Sequence, residues 1–360
     1  MKILYIALKY DYGDPKRGHS FEHYNFYDSL VKMNGGKHEI VYFPLDEVMN
    51  EVGRDEMNRR LISAAYETKP DLCFFFLFTD EIKSETIREI TEKSGAVTFN
   101  WFADDHWRFD NFSKYYAPLF HWVGTTDSHA PAKYERIGHK NVVKTQWACN
   151  HFLYKPSAEF AFRPRDYKHD VTFVGQPHSD RRQVAETVRA SGVDIQCWGG
   201  GWPSGKIDQD KMIDLFAESR VNLNLTKGSV RYSLTDFARI FLGKRSDGRI
   251  IVKSPRLWID NIKSLLNRRR EQIKGRNFEI PGSGGFLLTS DADNLRDYYE
   301  DGKEIVIFEN MAELIGKIKY YLGHEEERIR IARAGYERTL REHTYEKRFN
   351  EIFRTIGLIK

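Results

Sequence analysis

The chain is short of the features that mark several common protein classes. Its three cysteines, Cys73, Cys149 and Cys197, lie far apart in 360 residues and show no CxxC spacing. That argues against a disulfide framework or a zinc site and leaves buried thiols in a reducing compartment. No apolar run approaches the ~20 residues that cross a bilayer. The opening Met1–Leu8 is apolar but has no small-residue cleavage site, so it reads as a first β-strand and not as a signal peptide. A cytoplasmic protein is expected. After that strand stands "KYDYGDPKRG" (9–18) instead of GxGxxG, which counts against a nicotinamide-dependent oxidoreductase. Charge of one sign is lacking too. With 56 Lys+Arg against 52 Asp+Glu the formal net charge is +4, which permits an anionic partner without demanding one.

What is present is a core-forming composition, 41% hydrophobic and 14% aromatic, in a chain long enough for two domains of about 150–200 residues. Short apolar runs alternate with amphipathic stretches. Strands are expected at 2–8, 38–44, 71–78, 96–102, 121–127 and 141–147, with helices at 21–33, 84–95 and near 129–137. The rhythm breaks into prolines, aromatics and charges at 150–170, read as the interdomain linker. It restarts with strands at 170–175, 194–199 and 220–226, and with helices at 179–192 (Ser179 or Asp180 near its start) and 208–219. Strand–helix–strand repetition predicts parallel sheets covered by helices on both faces. The expected fold is therefore α/β, with two Rossmann-like domains facing a central cleft. The expected boundaries are 1–155 on the acceptor side, 168–330 for the nucleotide-sugar side with a basic insertion near 228–272, and C-terminal helices at 331–360. Those last helices are broken near Gly335 or His343.

The basic insertion carries Arg231, Arg239, Lys244, Arg245, Arg249, Lys253, Arg256, Lys263, Arg268, Arg269 and Arg270 against few acids. A helical hairpin with a solvated basic face is one reading. A surface drawn to anionic lipid or to an anionic acceptor is the other. No nucleic-acid recognition motif is visible, so nucleic acid is not an expected partner.

In open α/β sheets ligands gather at the carboxyl ends of strands. Three loops of the second lobe fit a nucleotide. "VGQPHSDRR" offers Gly175, a helix start and Arg181 for phosphate. "WGGGWPSG" offers Trp198 as a wall for a base and Gly199 for close backbone approach. "IKGRNFEIPGSGG" offers Glu279 for a vicinal diol, Lys274 and Arg276 for a pyrophosphate, and the Gly284-Gly285 turn. In the first lobe, "FADDHWRFD" supplies Asp104 and Asp105, with His106 beside them, as candidates to orient or deprotonate a hydroxyl. "KYDYGDPKRGHSFEHYN" places Gly18, His19 and His23 after the first strand. Paired aspartates also suit Mg²⁺, but no further ligands complete a cage, so no metal or other cofactor is expected.

The segments "DVTFVGQPHSDRR", "VDIQCWGGGWPSG", "RVNLNLT" and "GRNFEIPGSGGFLLTSDADNLRDYYEDGKEIVIFENMAELIGKIKYYL", with "WFADDHWRF" and "HWVGTTD" earlier, resemble the CgeB-like, spore-maturation-type glycosyltransferases of the GT-B superfamily. The resemblance implies a sugar nucleotide held mainly by the second domain. Glu279 would grip the ribose, and Arg276 and Gly284-Gly285 would lie beside the diphosphate. The EGFG-type segment that precedes that glutamate in such enzymes is replaced here by "KGRN", so donor-sugar recognition and stereochemical outcome are not implied. The expected activity is transfer of a sugar to a hydroxyl of a saccharide or lipid-linked acceptor, in polysaccharide or glycoconjugate synthesis. The expected partners are the donor, that acceptor and, peripherally, an anionic membrane. The alternative is a non-catalytic sugar- or nucleotide-sugar-binding protein.

Overall fold

The computed structural model describes residues 1–156, 162–178, 180–226, 233–245 and 248–360, without the Lys244 side chain. Ser179 and Arg231 fall outside the described residues. Thirteen strands occur among the described residues: β1 (Lys2–Ala7), β2 (Glu39–Pro44), β3 (Leu72–Phe75), β4 (Val97–Phe102), β5 (Trp122–Thr125), β6 (Val142–Lys144), β7 (His169–Val174), β8 (Ile195–Trp198), β9 (Ser219–Asn224), β10 (Leu242–Lys244), β11 (Ile250–Val252), β12 (Leu287–Ser290) and β13 (Val306–Phe308). The chain divides into two compact units.

The first unit comprises Met1–Gln146, Tyr232–Arg268 and Tyr345–Lys360. Its sheet runs β2-β1-β3-β4-β5-β6, parallel throughout. The middle strands are apolar without alternation because helices cover both faces; β3, "LCFF", is buried at all four positions. The order reverses at β1, whose neighbours are β2 on one side and β3 on the other. That reversal opens a crevice at the carboxyl ends of β1 and β3.

Two parts of this unit come from unexpected places in the chain. Residues 232–268, read from the sequence as an insertion in the second lobe, belong to the first unit. There the helix Pro255–Asn267 packs on the segments Asp105–Arg108 and Phe109–Ser113. The helix Tyr345–Thr355 also belongs here. Its buried stripe Tyr345, Phe349, Ile352 and Phe353 has helical spacing, and Tyr345 and Phe349 pack on Phe26. The C-terminal helices part at His343, since Glu325–Glu342 runs unbroken through Gly335.

The second unit comprises Trp147–Arg231 and Arg269–Thr344. Its parallel sheet runs β13-β12-β9-β7-β8. Alternate side chains feed two layers. Phe286 and Leu288 join Val184, Leu314 and Ile318 on one face. Leu287 and Ile307 join Phe216, Phe278 and Ile280 on the other. Part of the expected linker is core: Tyr154 is buried in that second layer, as is Cys149 just before the linker, whose N–H donates to the His343 carbonyl. All three cysteines are free and buried.

Candidate functional site

In the first unit a cavity of ≈ 160 Å³ lies at the β1/β3 reversal, lined by Leu8, Asp11, Tyr12, Phe21, Glu22, Phe76 and Phe78. Leu8 directly follows β1 and Phe76 directly follows β3. Apolar rings with a few polar groups form the usual lining of a small-molecule site. Tyr12 sits at the rim, 61% exposed, with a left-handed φ of 55°. Its ring meets Phe78 edge-on at 5.5 Å and carries the Arg17 guanidinium at 4.7 Å. A non-glycine residue in this conformation costs on the order of 1 kcal/mol, and such strain clusters at binding sites. Burial pushes the Glu22 carboxyl up to about 7, and the nearby Asp11 and Asp104 charges push the same way.

Asp104, expected as a base, is thus electrostatically coupled to this cavity, half-buried at the start of a helical turn that it does not cap with its side chain. Asp105 is placed differently. It has no exposed surface, and its carboxylate accepts from the Tyr134 hydroxyl at 2.7 Å. Burial raises its pKa to about 6 against the opposing hydrogen bonds of Ser113, Thr125 and Tyr134. In this conformation it is a core acceptor that no diffusing hydroxyl reaches. His19 stacks on His23 at 4.1 Å and on Tyr10 at 5.5 Å, and burial lowers the His23 pKa to about 4. The sequence reading missed Glu22. Its signal was present: it lies in the loop after the first strand, where the fold gathers ligands.

In the second unit the glycine and arginine loops are engaged with each other. The Trp202 indole donates to the Gly175 carbonyl at 2.7 Å. Gly199 has φ +139°, and a Cβ there would lie 2.4 Å from the Gly175 oxygen, so glycine is needed for two loops to touch. Trp198 meets His169 edge-on at 5.5 Å. Arg181 donates to the carbonyls of Gln176 at 3.0 Å and Leu225 at 2.9 Å. That guanidinium spans the β7/β9 reversal and ties its two strand ends together.

The segment around residue 279 is divided by the sheet. Gly284-Gly285 leads into β12, so it lies at the amino edge. A Cβ on Gly284 would meet Pro156 at 2.9 Å, and one on Gly285 would meet Asn222 at 2.9 Å and the Phe216 oxygen at 3.0 Å. This turn serves close packing, opposite the edge where a diphosphate was expected. Lys274 and Arg276 lie at the carboxyl edge, at the start of the helix Arg276–Gly282. The amide of buried Asn277 fixes that end. Its Oδ1 accepts from Lys274 N–H at 2.9 Å and Asn224 Nδ2 at 3.0 Å, and its Nδ2 donates to Thr289 at 3.2 Å. Glu279 is fully buried. One carboxylate oxygen pairs with the Arg276 guanidinium, and Oε1 is buried with no protein partner. Arg276 lies 5.8 Å from the Phe216 ring centre, and burial lowers its pKa. Asn277 and Asn224 escaped the sequence reading because a single amide side chain carries no motif.

A cavity of ≈ 280 Å³ opens at the ends of β9, β12 and β13, lined among others by Asp180, Leu225, Glu271, Ser290, Asp291 and Glu309. None of the sequence-predicted donor residues lines it. Arg296 bridges Asp291 at 3.1 Å and Glu309 at 3.8 Å. Among the described residues no cluster of three or more His, Cys, Asp or Glu side chains could hold a metal ion.

Residues 244–354 match a family model described as glycosyl transferase-like, while no curated protein matches the chain. By structure the chain is similar to sucrose-phosphate synthase from Thermosynechococcus elongatus, with TM-score 0.61, 10% identity and 99% of each chain covered. It is similar to HepE of Anabaena in complex with UDP, with TM-score 0.57, 11% identity and 100% of each chain covered. A glycosyltransferase from Rickettsia africae gives TM-score 0.58 at 10% identity, over 99% of this chain and 98% of that one. The fold is of the GT-B type. At such identities the likeness is one of backbone architecture, so each site residue of this GT-B chain stands on its own geometry. The family match spans Arg276, Glu279 and the carboxyl ends of β12 and β13.

Proposed function

We propose that the chain is a glycosyltransferase that moves a sugar from a nucleoside-diphosphate donor to a hydroxyl of a saccharide or lipid-linked acceptor. The observation that carries this reading is Glu279, a buried carboxylate with one oxygen lacking any protein partner and the other held by Arg276. Buried polar atoms without partners are rare and call for an explanation. A ribose diol supplies two donors for such a carboxylate. A diphosphate supplies a better counter-ion for Arg276, so donor binding draws the guanidinium off Glu279 and frees its second oxygen. Lys274 and Arg276 then stabilise the diphosphate as its charge develops. The acceptor oxygen bonds to the anomeric carbon, the bond to the diphosphate breaks, and the hydroxyl proton passes to a carboxylate.

On the acceptor side, Glu22 with Asp104 nearby is the base in this proposal, and the rings of Tyr12, Phe76 and Phe78 form the wall against which an acceptor sugar lies. His19 remains a neighbour that positions the loop. In this proposal Lys274 and Arg276 supply the positive charge for the leaving diphosphate, so it requires no metal. Kinship with the CgeB-like enzymes rests on the motifs quoted above and gives the subtype of the proposal.

Incubation with UDP-, GDP- and dTDP-sugars, with and without saccharide acceptors, tests it through the free nucleoside diphosphate produced. Release from at least one donor is expected, with a fall of about 10²-fold or more in Arg276→Gln. No release from any donor in the presence of acceptors counts against the reading.

A further inference from the structure

Ten of the seventeen exposed large apolar side chains among the described residues fall within residues 234–266. The helix Pro255–Asn267 is amphipathic the wrong way round for a soluble surface. Its inward face is polar. Asp260 accepts from the Tyr115 hydroxyl at 2.6 Å and pairs with Lys114 at 2.8 Å, and Asn261 accepts from Asn111 at 3.1 Å. Its outward face carries Ile259 (61% exposed), Ile262 and Leu266 (59%), spaced at i, i+3 and i+7. The preceding helix, Leu234–Phe241, repeats the pattern with Leu234, Phe237 and Phe241 outward. Between the helices, the antiparallel pair β10–β11 sets Leu242 opposite Val252, with Ile250 two residues on along the same face.

We propose that these three elements form an interfacial surface that seats the first unit on an anionic lipid bilayer. Charge decides between lipid and a second copy of the chain. The exposed cations Arg239, Arg249, Arg256 and Lys263 border the apolar faces. The described acids of the segment, Asp236 and Asp260, are both committed to pairs, Asp236 with Arg268 at 2.8 Å. A second copy would bring cations against cations, with no free carboxylate among the described residues of the segment to offset them. An anionic bilayer offers phosphates to the cations and acyl chains to the apolar faces, as for amphipathic helices that bury their apolar side about 5–10 Å into the interface. This surface is independent of sugar transfer, since none of its residues belongs to the donor or acceptor sites.

The test is co-sedimentation of the full chain with phosphatidylcholine vesicles that contain or lack phosphatidylglycerol, read as protein bound and not as activity. Binding is expected to the anionic vesicles only and to weaken with salt. It should fall about fivefold for each of Arg256→Gln and Lys263→Gln. Ile259→Ser/Ile262→Ser/Leu266→Ser should abolish it while the chain stays folded, because those side chains lie at the surface, 61%, 45% and 59% exposed. No binding to anionic vesicles overturns the proposal. So does a dimer in solution that the triple variant dissociates while wild type ignores vesicles. Retained binding by a folded triple variant also overturns it.

Discussion

Glu22 links stability and reactivity through one proton. Its carboxyl ionises near 7 in the folded chain, against an ordinary value of 4.5. Below about 4.5 both states hold the proton and the group costs nothing. As pH rises toward 7 the unfolded state ionises first, so stability falls, and the penalty is complete above the folded value. Glu22→Gln should therefore melt higher than wild type at pH 8 and level with it at pH 4.5, by thermal unfolding across that range. If Glu22 is the base, wild-type kcat/KM rises through about pH 7, and the variant loses that limb. Equal melting curves at pH 8 would show that the carboxyl is not desolvated. Adjacent residues also show what a sequence conceals. Asp104 and Asp105 are indistinguishable as letters, and only the direction each takes from the end of β4 leaves one half-buried near the cavity and encloses the other against Tyr134.

At the scale of elements, strands and helices were largely legible because parallel strands buried on both faces read as apolar runs. Two short pairings escaped: β10–β11 within the charged segment, and β13, whose three residues give too little pattern to read. The glycine loops were legible as turns, but the close approach of other protein segments to them was not. Gly199 and Gly285 have no room for a Cβ, because the Gly175 backbone approaches the first and Asn222 and Phe216 the second. Gly199→Ala should consequently destabilise the second unit by roughly 1–3 kcal/mol, from positive φ and overpacking together, and this reads as a lower denaturant midpoint at unchanged slope. A neutral result would mean that the two loops separate without cost. Position relative to the sheet carried more information than glycine content. Gly284-Gly285 precedes its strand, whereas Ser290 and Asp291 follow it, and the rule of carboxyl ends would have favoured the latter.

For the whole molecule, alternation of elements foretold two parallel sheets, but chain order misled about membership. Residues 232–268 and 345–360 return to the first unit because their buried faces match it: polar Asp260 and Asn261 find Tyr115, Lys114 and Asn111, and the Phe349 stripe finds Phe26 and Phe74. Such matching is long-range and leaves no local trace. Phe349→Ala should cost about 3–5 kcal/mol and lower the melting temperature of the first unit, although it lies more than 340 residues from β1. The central claim, a donor site built on Glu279 and Arg276, is tested most directly by calorimetric titration of wild type and Glu279→Gln with UDP, GDP, dTDP and NAD. The account predicts that one nucleoside diphosphate binds wild type and binds the variant at least tenfold more weakly, with NAD inert. Equal affinity for wild type and variant, or binding of NAD alone, would contradict it.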